Sequence, residues 1–342
     1  MRAVVIVPGS ERGHLDLQEV PAPALEPGTV RIAVRAAGVN HADLAQRDGR
    51  YAQHATHRGT GGRIAGLEVA GTVIEVAADV EGVACGDAVM TMCAGGYAEQ
   101  VVVDHRLVLP KPGWLDWRQA AAFPVGFVTA HNALTDAGRL AAGEAVLITG
   151  ASSVVGTAAG QLAKRLGAGR VIGTTGSPAK AEALRALGFD DTILHTGRPL
   201  AEALEALGGA DVVIDLIAGD WLPPLLDALK IRGRLVSVGR LRGRNVSFNL
   251  DTVARKRLEI IGVSFRSRSL EEYARVVRRA AADILGPLER RELVLPPVRA
   301  FALVDAAAAQ DALESGGFAG KIVIDVMSDV ASEPGMAGSG GQ

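Results

Sequence analysis

The chain has 342 residues, 48% of them hydrophobic and 22% charged, with a formal net charge of −2. That is enough for two domains with real cores, and too little charge to recruit nucleic acid or an anionic membrane through a global field. Cys85 and Cys93 alone exclude a disulfide framework or a four-thiolate zinc lobe and fit a reducing cytoplasm.

From the N-terminus, MRAVVIVPG reads as a short strand and lacks the basic start and long apolar run of a signal peptide. RAVVIV, TVRIAVRAAGV, EVAGTVIEV, DAVMT and YAEQVVV follow as short apolar runs broken by Gly, Pro and Asp. They predict a small barrel-like β domain over residues 1–122. The character changes near residue 117, where WRQAAAFPVGFVTAHNALTDAG is helical in composition with Pro124 as an interruption. Strand and helix patterns then alternate. AVLIT (145–149), RVIGT (170–174), TILH, DVVIDLI and RLVSVG read as strands. Between them lie helices with apolar residues at helical spacing, such as Val155, Ala159, Leu162, Ala163 and Leu166. This repetition predicts a doubly wound parallel sheet over residues 123–263. After LEIIGVSF (258–265), the segment 264–327 is expected to return and complete the first domain. The Gly-rich residues 328–342 predict a disordered tail. No apolar run approaches the roughly 20 residues needed to cross a bilayer.

AVLITGASSVVG (145–156) is a strand, a tight turn and a helix start. Unpaired amides at such a helix N-terminus suit a dinucleotide pyrophosphate, although Ala151 and Ser153 replace two glycines of the usual three. The next strand ends in GTTGSPAK. A carboxylate that would hold a ribose 2′-hydroxyl is expected about 20 residues after the loop. Here Thr175 stands there, followed by Gly176, Ser177 and Lys180. Hydroxyls, amides and an ammonium suit a 2′-phosphate, so NADPH is the expected cofactor. The alternative for Lys180 is a solvated helix residue.

The order of domains, together with AGVNHADLAQRDGRY (37–51), GLEVAGTV (66–73), GASSVVG (150–156), VIDLIAG (213–219), KRLEIIGVSFRSRS (256–269) and GKIVIDV (320–326), resembles the medium-chain dehydrogenase/reductase superfamily. Within it the chain resembles the zinc-independent quinone oxidoreductase branch, which includes zeta-crystallin-like proteins. The resemblance spans about residues 1–327 and implies a GroES-like β-barrel domain beside a Rossmann domain. In zinc-dependent relatives three positions supply the catalytic metal. Here they correspond to Asn40, Leu67 and the stretch PVGFVT (124–129), which has no cysteine. No metal is therefore expected, since a catalytic zinc needs three ligands of N, S or O type. His41, His54 and His57 match no common metal spacing and read as solvated loop residues.

Without a strong Lewis acid, hydride must go to an acceptor that is already electron-poor, and a quinone is the leading expectation. An α,β-unsaturated carbonyl or enoyl thioester is the alternative acceptor, and a low-turnover NADPH-binding regulatory or structural protein is the alternative from another class. Asn40 is a candidate donor to a substrate oxygen, or else a turn residue. The resemblance implies a cleft-lining role for Tyr51, and places Thr129, Gly239 and Phe265 around the nicotinamide. Ser152, Ser153, Val154, Val155 and Gly156 would hold the pyrophosphate. His195 stands where relatives often carry a tyrosine near the adenosine end. Asp43 and Gln46 read as organising residues. Arg240, Arg242 and Arg244, with Arg266 and Arg268, would either anchor an anionic group or form plain surface charge. A homodimer through the sheet edge at 234–263 is implied by the resemblance and by the exposed apolar strand LEIIGVSF.

Overall fold

A computed structural model describes residues 1–9, 12–51, 63–196, 200–205 and 208–327. His54 and His57, most of the 50–65 loop and the expected tail at 328–342 lie outside the described residues. The chain divides into two units, one of Met1–Ala122 with Pro297–Gln342, the other of Phe123–Pro296.

The first unit begins with an antiparallel pair, β1 (Arg2–Val7) and β2 (His14–Glu19). β3 (Thr29–Gly38) comes next, then α1 (His41–Arg47), β4 (Glu68–Val76), β5 (Ala88–Met92), β6 (Gln100–Asp104), β7 (Val108–Pro110) and α2 (Trp117–Ala121). In β3 the period of two is direct: Val30, Ile32 and Val34 are fully buried, while Arg31 turns outward to pair with Glu75. Gly71 sits where a Cβ would come within 2.2 Å of the Ala33 carbonyl oxygen, so β3 and β4 approach closely only because it is glycine.

The second unit holds α3 (Pro124–Asn132), β8 (Ala145–Ile148), α4 (Val154–Arg165), β9 (Arg170–Thr175), α5 (Pro178–Ala186), β10 (Asp191–Leu194), α6 (Leu200–Glu205), β11 (Ala210–Asp215), α7 (Leu222–Ala228), β12 (Leu229–Ser237), α8 (Leu250–Lys256), β13 (Glu259–Gly262) and α9 (Leu270–Glu289). All six strands are parallel, in the order β10-β9-β8-β11-β12-β13. The order reverses between β8 and β11, which opens a crevice beyond the carboxyl ends of the strands there. β13 closes one edge with Ile260 half-exposed.

The chain returns to the first unit at Pro297, not at residue 264. The amphipathic pattern of α9 fixes that one face is buried but not against which sheet; its Tyr273, Val276, Val277 and Ile284 are buried within the second unit. β14 (Val298–Ala302), α10 (Ala306–Ser315) and β15 (Lys321–Asp325) complete the first unit. Its main sheet runs β14-β15-β3-β4-β5-β7, with β6 also on β3. The core gathers Val30, Ile32, Val69, Tyr97, Ile322 and Ile324. No described helix is long and apolar enough to cross a membrane.

Candidate active site

In the second unit the turn after β8 is built tightly. Gly150 has φ +58°, and its amide donates to Thr174 Oγ1 at 3.1 Å. Ser153 caps α4, its hydroxyl accepting from the Gly156 amide at 3.1 Å. A Cβ on Gly156 would meet the Gly150 and Ala151 carbonyl oxygens at 2.6 Å. The earliest amides of α4, at Val154 and Val155, have no intrahelical acceptor and open toward the crevice end.

Across the reversal, buried Asp215 ties the floor together. Its Oδ1 accepts from Thr149 Oγ1 at 2.8 Å and from the Ile217 and Ala218 amides at 3.0 Å. Thr149 Oγ1 in turn accepts from the Leu216 amide at 2.9 Å. Gly239, just past β12, lies so close to β11 that a Cβ would stand 2.1 Å from the Leu216 carbonyl oxygen. A side chain at 239 would therefore push the end of β12 off its neighbour.

At the end of β9, Thr175 is 2% exposed and its Oγ1 is buried without a hydrogen-bond partner. A buried hydroxyl left unsatisfied costs free energy, and a ribose hydroxyl would satisfy it. Gly176 follows with the His195 imidazole against it, and Ser177 begins α5 without a side-chain cap bond. No ion pair of Lys180 is found among the described residues. His195 stands edge-on to Trp221, with ring centroids 4.8 Å apart. Burial, reinforced by the Arg242 charge, lowers the His195 pKa. These features suit a dinucleotide: a tight glycine turn, open amides, a satisfiable hydroxyl and no carboxylate at 175–177.

Thr129 on α3 is 8% exposed. α3 lies against α4 through Gly126, where a Cβ would meet Val154 Cγ1 at 2.7 Å. Phe265 packs on Tyr273, and Arg268 lies over its ring. Arg268 does not belong to a free basic cluster. It donates to Asn132 Oδ1 at 2.9 Å, Glu272 Oε1 at 2.9 Å and the Ser264 carbonyl at 3.0 Å. Its work is to fix the Phe265 segment to α3 and α9. Arg240 and Arg244 are exposed, and Arg242 pairs with Asp220.

In the first unit, Asn40 precedes α1. Its Nδ2 donates to Glu68 Oε1 at 2.9 Å, and its Oδ1 accepts from Lys321 Nζ at 2.7 Å. Lys321 Nζ also donates to Glu68 Oε1. Glu68 is fully buried and Lys321 nearly so. Leu67 is 8% exposed, its carbonyl accepting from Cys93, whose thiol burial pushes far up. Among the described residues no group of three His, Cys, Asp or Glu side chains could hold a metal ion. Gln46 accepts from the Gly66 amide and so holds the turn before Leu67. Tyr51 is half-buried, and residues 52–62 after it lie outside the described residues.

Asp43 is fully buried; its Oδ2 accepts from the Asn40 amide at 2.7 Å and from Tyr97 OH at 2.8 Å. Burial pushes its pKa up to about 7 against these donors. Because the folded value exceeds the unfolded one, the folded state binds the extra proton between them. The stability that a protonated Asp43 contributes is full below the unfolded value near 3.8 and is lost as pH rises toward about 7. Asp43→Asn is expected to flatten that decline, whose slope for one proton reaches about 1.4 kcal/mol per pH unit. Urea midpoints of both proteins from pH 4 to pH 8 measure it; parallel profiles would refute the assignment.

The residues at 150–156, 175–180, 195 and 239 gather at the strand ends of the second unit, while Asn40 and Tyr51 stand in the first. Sequence reasoning missed Glu68, Lys321, Thr149, Asp215 and Trp221. A carboxylate and an ammonium each set inside an apolar strand run, GLEVAGTV and GKIVIDV, were the available signal for the first two.

Two family descriptions match the chain, "Alcohol dehydrogenase GroES-like domain" over residues 26–113 and "Zinc-binding dehydrogenase" over residues 154–282. Quinone oxidoreductase-like protein 2 of Bos taurus is 30% identical over 273 residues, covering 78% of this chain and 77% of that protein. The chain belongs to the medium-chain dehydrogenase/reductase family, of the quinone oxidoreductase type. The chain thus combines a GroES-like domain with a Rossmann-type domain. The quinone oxidoreductase of Thermus thermophilus, solved alone and with NADPH, is similar to it with a TM-score of 0.78 and 32% identity, covering 95% of this chain and all of that one. The spectinabilin polyketide synthase system protein NorB of Streptomyces orinoci is 40% identical over 309 residues, 90% of this chain. The chain spans only 13% of that protein and between 5% and 19% of six other polyketide synthases that it matches.

Proposed function

We propose that this reductase is zinc-independent, takes NADPH and delivers hydride to an electron-poor acceptor, in the first place a quinone. One observation carries the reading. At the positions that correspond to metal ligands, Leu67 is apolar and buried, and the Asn40 amide is already bonded to Lys321 and Glu68. Such a site lacks a Lewis acid of its own and suits acceptors that spread incoming charge over a conjugated system.

NADPH would supply the hydride. The chain's residues supply binding and orientation. The open amides after Ser152 and Ser153, at Val154 and Val155, face the pyrophosphate, with Gly156 and Gly239 allowing backbone approach. Thr175 donates its buried hydroxyl to the ribose, and Gly176, Ser177 and Lys180 accommodate a 2′-phosphate. His195 stands by the adenosine. Thr129 and Phe265 border the nicotinamide, and Tyr51 lines the acceptor's side, where a ring and a hydroxyl suit a quinone. Asn40 acts through the fixed geometry of its bonded amide.

A second reading, reduction of an enoyl thioester, is favoured by the 40% identity to a polyketide synthase segment, since polyketide chains are carried as thioesters. Parallel assays of NADPH oxidation with phenanthrenequinone and with crotonyl-CoA separate the two. Turnover of the quinone alone supports the leading reading. Turnover of the thioester alone replaces it with the second, and binding of NADPH without turnover of either replaces both with a nucleotide-binding protein. The reading includes a cytoplasmic homodimer joined at the β13 edge; light scattering that finds only a 35.4 kDa species removes the dimer.

A further inference from the structure

Beyond β12 the chain forms a loop whose backbone is held in place. The Arg242 amide donates to the Ile217 carbonyl at 2.9 Å. Gly219, with φ +62°, lies where a Cβ would meet the Arg242 carbonyl oxygen at 2.6 Å. The Arg242 side chain is therefore delivered to a fixed place. Its guanidinium lies 5.9 Å from the centre of the Trp221 ring and donates two bonds to Asp220, at 2.7 and 3.0 Å. Trp221 is 8% exposed and carries His195 on its other contact, and the His195 ring lies against Gly176 at the end of β9. Gly176, His195, Trp221 and Arg242 thus form one continuous run within the second unit.

This run ends in a cation that is exchangeable. Asp220 and Arg242 are 68% and 52% exposed, and an ion pair at such exposure contributes little. A phosphate offers three acceptor oxygens and nearly two charges where the carboxylate offers two oxygens and one. A planar guanidinium fork matches both geometries. His195 does not supply this charge, because burial and the neighbouring guanidinium lower its pKa.

We propose that Arg242 recognises the 2′-phosphate of the cofactor, and that Asp220 holds the guanidinium in that place until the phosphate displaces its carboxylate. The inference rests on the NADPH reading and adds to it two residues that set cofactor selectivity. Lys180 on α5 would be the second cation, reaching the phosphate from the β9 side.

Calorimetric titration with 2′,5′-ADP and with 5′-AMP tests it, because the two probes differ only by the 2′-phosphate. The wild-type protein is expected to prefer 2′,5′-ADP. Arg242→Gln should weaken 2′,5′-ADP about tenfold and leave 5′-AMP within about twofold, as loss of one charge-assisted pair implies. Asp220→Asn should strengthen 2′,5′-ADP about threefold by removing the competitor. Arg242→Lys should fall between wild type and Arg242→Gln, since it keeps the charge and loses the fork. A wild-type preference that survives Arg242→Gln overturns the proposal, as does an equal loss of both probes, which would make Arg242 a loop-holding residue. A wild-type protein that does not distinguish the probes overturns the NADPH reading and this inference with it.

Discussion

Lys321→Met is expected to lower the free energy of unfolding by about 3–5 kcal/mol, the largest stability effect of any single substitution we would make in the first unit. Glu68 is fully buried and Lys321 is 3% exposed, so both charges of the pair are out of water. The ammonium bridges Glu68 Oε1 and Asn40 Oδ1 from the start of β15, so its loss removes a buried cation and both bonds it donates. Removal of one partner is far more costly than replacement of both. The double variant Lys321→Met with Glu68→Gln should therefore recover more than half of the loss, because a neutral amide can still meet Asn40. Urea unfolding at pH 7 measures both. A loss below about 1 kcal/mol in the single variant would show that the pair behaves like an exposed one.

Gly156→Val is expected to weaken NADPH binding about a hundredfold, the scale of a misplacement of roughly 1 Å in a binding geometry. The added Cβ would lie 2.6 Å from two backbone carbonyl oxygens, at Gly150 and Ala151, and neither is the free end of a side chain that can swing away. The turn between β8 and α4 must open, which carries the amides of Val154 and Val155 away from the pyrophosphate. Overpacking should cost about 1–3 kcal/mol of stability as well. Gly113→Ala is the control, since nothing stands within 4 Å of a Cβ there. Fluorescence titration with NADPH reads the difference. Binding of Gly156→Val within twofold of wild type would remove the turn from the cofactor site.

The alternating strands and helices of the second unit were legible because each is a local pattern. AVLI, RVIGTT and ADVVID are apolar runs of strand length, and the helices between them carry their own periodicity. Gly156 was legible for the same reason, as the end of a turn between two clear elements. The long-range bonds within each unit were not. Lys321 meets Glu68 across 253 residues, and Thr149 meets Asp215 across 66, so no window of sequence contains both partners. Arg242 and Arg268 looked alike in an arginine-rich chain. Only the structure separates the one paired with an exposed carboxylate from the one bonded to Asn132, Glu272 and the Ser264 carbonyl. For α9, periodicity reports a buried face and not the partner that covers it.

The most direct test of the central claim is oxidation of NADPH by phenanthrenequinone with protein dialysed against chelator, with NADH in parallel. A zinc-independent NADPH reductase retains its full rate after chelation, gains nothing from added zinc and runs more slowly with NADH. A rate that collapses on chelation and returns with zinc would contradict the account, and would mean that residues other than Asn40 and Leu67 hold a metal.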